Sequence, residues 1–280
     1  MKHKIIYSLF SLSTILLNLV YSQITFLEKS RFYFTENPVI QKFKADYLVN
    51  NIENSFLVLD KDLGSIHKFE ISKDAFKSID YYNISESFGD LIGVIANSSG
   101  ILIFDRNNNQ IFKLDYNLNL ITIDILDIQL YPEKVAIDTW GRPIIYSKRL
   151  NAIFIYENHI DGKILINLNH IPNFNNCISD FEVGSNGDIA ILDCTGEVYL
   201  FNSLGKLRFS YPPVLEKSKF LIYYKSNWII LNEKGLGTNL NDRSKIIFPE
   251  TNLKLKDISV VDNNIVLLYN SFISVLHVQN

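Results

Sequence analysis

Cysteine is nearly absent from this 280-residue chain: Cys177 and Cys194 are the only two. No third cysteine or suitably spaced histidine accompanies them, which excludes a zinc site built on thiolates. There is no run of Lys or Arg, and 27 basic residues face 30 acidic ones for a net charge of −3. That balance excludes nucleic acid as the main partner. Only one apolar run approaches membrane-spanning length, and it lies at the amino terminus. No GxSxG elbow, Walker loop or GxGxxG after a strand occurs. The histidines of the chain proper, His67, His159, His170 and His277, are not spaced as HExxH. No residue therefore qualifies as catalytic by motif. A hydrophobic content of 47% with 13% aromatics excludes wholesale disorder, because such a chain can bury a large core.

The first residues read as a targeting segment. Lys2, His3 and Lys4 make a short positive region, and an apolar stretch follows from Ile5 to Tyr21. Val20 and Ser22 occupy the −3 and −1 positions of a cleavage before Gln23. Residues 1–22 are thus expected to be a signal peptide and 23–280 one exported domain, periplasmic or extracellular, with no stable membrane span after cleavage. The competing reading is an uncleaved anchor, which needs about 20 apolar residues. No cysteine follows the run to accept a lipid.

An exported chain meets an oxidising compartment, where a cysteine pair can bridge. Asp180–Val183 and Ile189–Leu192 read as strands joined by the turn Ser185-Asn186-Gly187. That hairpin places Cys177 across from Cys194 at its open end. The alternative is two reduced, buried thiols.

Self-similarity dominates the rest. A β-rich run, a Gly or Asn turn, a second run, a polar turn and a third run recur. The second runs end at Asp60, Asp105, Ser147, Asp193, Asn232 and Asn270, spaced by about 42 residues on average. An innermost run precedes each: Tyr47–Asn50, Leu91–Ala96, Val135–Asp138, Phe181–Val183, Phe220–Tyr224 and Ile258–Val261. Fourth runs follow five of the units: Ala75–Tyr82, Leu120–Ile125, Lys163–Asn167, Leu207–Tyr211 and Lys245–Phe248. Four-stranded propeller blades repeat at about this interval, so an all-β, six-bladed β-propeller is expected. The chain stops after the third strand of the last unit. Arg31–Phe34, similar to Leu207-Arg-Phe-Ser-Tyr, is expected to complete that blade and close the ring. A β-sandwich or barrel is the competing architecture. Almost no helix is expected, given Val, Ile, Tyr and Phe at period two.

Pro132-Glu-Lys-Val-Ala-Ile-Asp-Thr-Trp-Gly141, Gly187-Asp-Ile-Ala-Ile-Leu-Asp193 and Arg106-Asn-Asn-Asn-Gln-Ile-Phe-Lys-Leu-Asp115 carry a family resemblance. They resemble the NHL pattern of a Val-Ala-Val-Asp strand, a Gly turn, a hydrophobic strand ending in Asp and an Asn-rich turn. The chain thus resembles a six-bladed propeller of the NHL/TolB-like group. The resemblance implies the fold and leaves the activity open.

In such a ring the channel mouth and its loops form the binding face. Asp46, Asp90, Glu133, Asp180 and Asp257 fall just before innermost strands, with Lys219 in that place in unit five. Together they would ring the channel mouth with negative charge, able to hold a divalent cation such as Ca²⁺. The competing reading is a set of turn caps that accept backbone N–H bonds. His67 and His277 read as wall residues of third strands, His159 and His170 as loop residues. Trp140, in a turn, is either a partner contact or a covered turn residue. Asn83-Ile-Ser85 and Asn97-Ser-Ser99 match the glycosylation sequon. Two functional readings follow. One is a non-catalytic binding scaffold with a protein or small-molecule partner on the loop face. The other is a metal-dependent hydrolase or lactonase-like enzyme using Asp46, Asp180 and Asp257 to hold Ca²⁺ or Zn²⁺ and activate water.

Overall fold

A computed structural model describes residues 23–34, 43–50, 55–71, 76–84, 87–126, 128–157, 163–172, 174–249, 253–261 and 264–278. The expected signal peptide, His159 and Ser85 lie outside these residues. The described chain is built from strands, with a short 3-10 turn at Leu168–His170. His170 therefore sits on that turn.

The second strand of each unit explains why the chain forms sheets that stack on both faces. β3 (Ser55–Asp60), β7 (Gly100–Asp105), β11 (Pro143–Ser147) and β15 (Ile189–Asp193) are buried at every position. A strand covered on both faces reads as a continuous apolar run, which these are. β2 (Tyr47–Asn50), β3, β4 (Ser65–Ile71) and β5 (Phe76–Asn83) form the first four-stranded antiparallel sheet. β6 (Leu91–Asn97), β7, β8 (Gln110–Leu114) and β9 (Leu120–Ile125) form the second. β10 (Pro132–Ile137), β11, β12 (Ala152–Ile155) and β13 (Ile164–Asn167) form the third. β14 (Ile178–Val183), β15, β16 (Val198–Phe201) and β17 (Leu207–Tyr211) form the fourth. These are blades of a β-propeller.

The remaining strands join in one eight-stranded sheet. β18 (Ser218–Tyr224), β19 (Asn227–Asn232), β20 (Leu236–Asn239) and β21 (Lys245–Ile247) run to β1 (Gln23–Tyr33), then β24 (Phe272–Val278), β23 (Asn264–Leu268) and β22 (Asp257–Val261). β1 is shared. Residues 23–25 pair parallel with β21, and from Phe26 onward β1 pairs antiparallel with β24. Arg31 lies opposite Ser274 and Tyr33 opposite Phe272, so the amino-terminal strand does run beside the last strand of the chain.

Buried clusters fill the gaps between successive units. Leu57 and Ile66 pack with Val94 and Phe112. Phe104 packs with Ile145 and Phe154, Tyr146 with Phe181 and Ile191, and Leu192 with Leu221 and Ile230. Phe220 packs with Leu267 and Phe26, and Val266 and Ile273 pack with Leu48 and Val58. The innermost strands touch in the same order: β2 with β6, β6 with β10, β10 with β14, β14 with β18, β18 with β22, and β22 with β2.

The period in the sequence has a physical origin. The Asp60 carboxylate is fully buried and accepts the N–H groups of Lys44, Asp62 and Leu63 at 2.7, 3.0 and 2.9 Å. Asp105, also fully buried, accepts those of Gly89 and Asp90 at 2.9 and 3.0 Å. Asp193 Oδ1 accepts from Thr195 and Glu197, and Asn232 Oδ1 from Lys234 and Leu236. Buried backbone donors must be paired, so an acceptor at this turn recurs. Asn270 departs from the pattern: it is exposed, and a tighter turn is closed by the Tyr269 N–H to the Phe272 carbonyl.

Candidate functional site

The innermost strands carry a small set of charges around the axis. Counting back from the turn that ends each second strand, one register position is shared. It holds Tyr47, Gly93, Lys134, Asp180, Phe220 and Asp257, opposite Leu59, Phe104, Tyr146, Leu192, Leu231 and Leu268. Glu133, Asp180 and Asp257 were expected just before their strands; they lie inside β10, β14 and β22. The reason is local in two cases. A register shift between Pro132 and Lys134, and another between Ile178 and Asp180, lets each strand start earlier than its apolar run.

Asp180 and Asp257 perform the same task. The Leu221 N–H of β18 donates to Asp180 Oδ2 at 2.9 Å. The Leu48 N–H of β2 donates to Asp257 Oδ2 at 2.7 Å. Each carboxylate thus clips its strand to the innermost strand beside it, and the second clip joins residues 209 positions apart in sequence. The Ile258 N–H also donates to Asp257 Oδ1 at 2.9 Å.

Glu182, two residues after Asp180 on the same side of β14, was not singled out from the sequence. The available signal was an acid at i and i+2 on an innermost strand, where period two puts both on one face. Burial pushes the Glu182 carboxyl up to about 8, and the charges of Asp180 and Asp257 push the same way. Burial also raises Asp257 to about 7, against the opposing pull of its two N–H donors. Asp180 is raised by burial and restrained by Lys134 and the Leu221 N–H. Removing charge from water in a confined space disfavours the ionised form, and neighbouring acids add to it. Lys134, unremarked in the sequence, is the cation that acts on both Asp180 and Asp257, and Lys219 adds to it at Asp180.

The other expected mouth residues form ion pairs. Arg106 bridges Asp90 and Glu133, joining the second and third sheets; its contact to Glu133 is 2.5 Å. Asp46 Oδ2 accepts the Lys61 N–H at 3.4 Å, and Lys256 Nζ lies 3.8 Å from Asp46 Oδ1. Lys219 pairs with Glu233 at 2.6 Å, and Lys254 with the same carboxylate at 2.7 Å. The five expected acids are therefore divided: Asp90 and Glu133 share Arg106, Asp46 faces Lys256, and Asp180 and Asp257 accept backbone N–H groups. Among the described residues no three His, Cys, Asp or Glu side chains are grouped so as to hold a metal ion.

Cys177 and Cys194 form a disulfide with a Cα–Cα distance of 5.5 Å. The Cys194 N–H donates to the Cys177 carbonyl, extending the β14–β15 ladder by one step. His67 is buried in β4, where desolvation lowers its pKa to about 4, and His277 lies exposed in β24. Trp140 is 67% exposed, with the Arg142 guanidinium 5.0 Å from its ring centroid. The Asn97 amide donates to the Gly141 carbonyl at 2.7 Å, so this sequon residue is a turn residue in use. Among the described residues no helix is long and apolar enough to cross a membrane.

No protein-family profile matches the chain, and no curated protein matches it in sequence. Solved structures do match in shape. A streptogramin B lyase aligns with a TM-score of 0.66 at 12% identity, over 91% of this chain and 98% of that one. A catalytically inactive virginiamycin B lyase from Staphylococcus aureus, solved with quinupristin, gives 0.63 at 12% identity, over 85% and 81%. BamB from Moraxella catarrhalis gives 0.54 at 8% identity, over 90% and 97%. At such identities the likeness establishes the β-propeller fold and nothing finer.

Proposed function

We propose that the chain is an exported, six-bladed β-propeller of the NHL/TolB-like kind that acts as a non-catalytic binding scaffold. Its partner, a protein or a small molecule, docks on the loop face around the channel mouth. The blade count rests on reading the eight-stranded sheet as two blades that share β1. The cycle of contacts among the innermost strands supports that reading. Export rests on the charged and apolar leader and on the disulfide.

One observation carries the non-catalytic reading. Asp180 and Asp257, the two acids best placed to hold a metal in the competing hydrolase reading, each accept a backbone N–H from the adjacent innermost strand. Their role is to join blades. The neighbours in shape include lyases, WD40 domains and BamB, so this fold serves enzymes and other proteins alike.

The test is a thermal melt of residues 23–280 in excess chelator and again with added Ca²⁺ or Zn²⁺. A ligand that binds only the folded state at 100-fold its Kd adds about 2.7 kcal/mol. The expected result is an unchanged melting temperature. A rise of several degrees with either metal would replace this reading with the metal-dependent hydrolase.

A further inference from the structure

A cleft of about 400 Å³ opens between the second and third four-stranded sheets. Its walls include the turn between β6 and β7 and the turn between β10 and β11, at the opposite end of the sheets from the channel-mouth ion pairs. That volume lies within the range of small-molecule sites.

Four charged side chains line the cleft: Lys113, Asp124, Arg142 and Glu157. Their formal charges cancel, so the cleft has no net field to draw a phosphate or a bare cation. Arg142 is fixed from three sides. Its Nε donates to Asp138 at 2.7 Å, its Nη1 donates to Glu157, and its guanidinium lies over Trp140. Its Nη2 makes no hydrogen bond among the described residues, and Lys113 holds no ion pair among them. Asp124 is held by the hydroxyls of Thr122 and Tyr156 at 3.0 and 3.4 Å, which leaves acceptor capacity on both oxygens. Asn97 closes the wall between the two sheets through its bond to Gly141. Leu102 and Pro143 supply apolar surface.

Preorganised donors and acceptors in balanced numbers, beside a comparable apolar surface, match a neutral ligand with both hydroxyl groups and C–H faces. Carboxylates accept from neighbouring hydroxyls, while Arg and Lys donate to hydroxyl and ring oxygens. Trp140 adjoins the cleft through Arg142, whose guanidinium lies over its exposed ring, so its environment follows Arg142. We infer that this cleft binds a short neutral oligosaccharide, with Arg142 and Asp124 as its polar anchors.

The experiment applies the protein secreted from the full-length chain to an array of neutral and charged oligosaccharides. The best neutral hit, and glycylglycine as a zwitterionic control, are then titrated by tryptophan fluorescence. Trp228 is buried, so a change on binding reports Trp140. The expected result is saturable binding of at least one neutral oligosaccharide, weakened about tenfold or more by Asp124→Asn and by Lys113→Ala, with melting temperatures within a degree or two of the parent. About tenfold corresponds to loss of one good polar contact. Three outcomes would overturn the inference: no neutral oligosaccharide bound by the folded parent, binding that survives both substitutions, or glycylglycine bound more tightly than any sugar.

Discussion

Asp257 shows how one side chain can be both a structural clip and a titrating group. Its carboxylate takes the Leu48 N–H at 2.7 Å, yet burial holds its pKa near 7. Asp257→Ala leaves that N–H without its partner. The expected cost is about 1–3 kcal/mol, the usual penalty for an orphaned buried donor, read as a lower urea midpoint. Asp257→Asn keeps an acceptor without a charge, so at pH 9 it is expected to match or exceed the parent. The pH profile follows from the same groups. Asp257 and Glu182 bind protons more tightly folded than unfolded, with folded values of about 7 and about 8. Their stabilisation is complete below the ordinary carboxylate range near pH 4 and is lost as pH rises through those folded values. The melting temperature should therefore fall between pH 5 and pH 9, and Glu182→Gln should flatten the upper part of that fall. A flat profile in the parent would show that these acids are ordinary.

Legibility at this scale was uneven for physical reasons. Asp60, Asp105 and Asp193 stood out because a buried acceptor is required at each turn they organise. Asp180 and Asp257 were recognisable as acids at innermost strands, and their alternative role as N–H acceptors is the geometry observed. Lys134 was missed because an isolated charge in a strand carries no spacing signal, and Glu182 because its one signal, the two-residue spacing from Asp180, is shared by many exposed strand faces. What matters is which strand stands opposite, and that is set by how the sheets pack on one another.

The β14–β15 hairpin was readable from its turn, since Gly187 sits at φ 81°, a conformation open to glycine. Its disulfide was readable from the same register. Replacing both Cys177 and Cys194 by Ser is expected to cost about 3 kcal/mol on the chain-entropy view of a loop of this size, measured as a shift in denaturant midpoint. Gly205 was not legible. It has φ 75°, and a Cβ there would lie 2.1 Å from the Leu165 carbonyl on the neighbouring sheet. Gly205→Ala should destabilise by more than an ordinary surface change, since it adds both a close contact and a strained backbone. The cleft was equally hidden. Its walls come from turns on two sheets that only blade packing brings together.

At the scale of the whole molecule, β1 is the element on which the proposed ring depends. It pairs with β21 over residues 23–25 and with β24 from Phe26 to Tyr33, and Phe26 is buried among Phe220, Phe248 and Leu267. The pairing of β1 with β24 is the one that the sequence suggested for residues 31–34. Without β1, two strand edges are left open to solvent and to other chains. The most direct measurement compares the urea unfolding of residues 23–280 with that of the chain lacking residues 23–35. The account predicts a large loss of stability and of cooperativity in the shortened chain. An unchanged midpoint and slope would contradict closure by the amino-terminal strand, and with it the six-bladed ring.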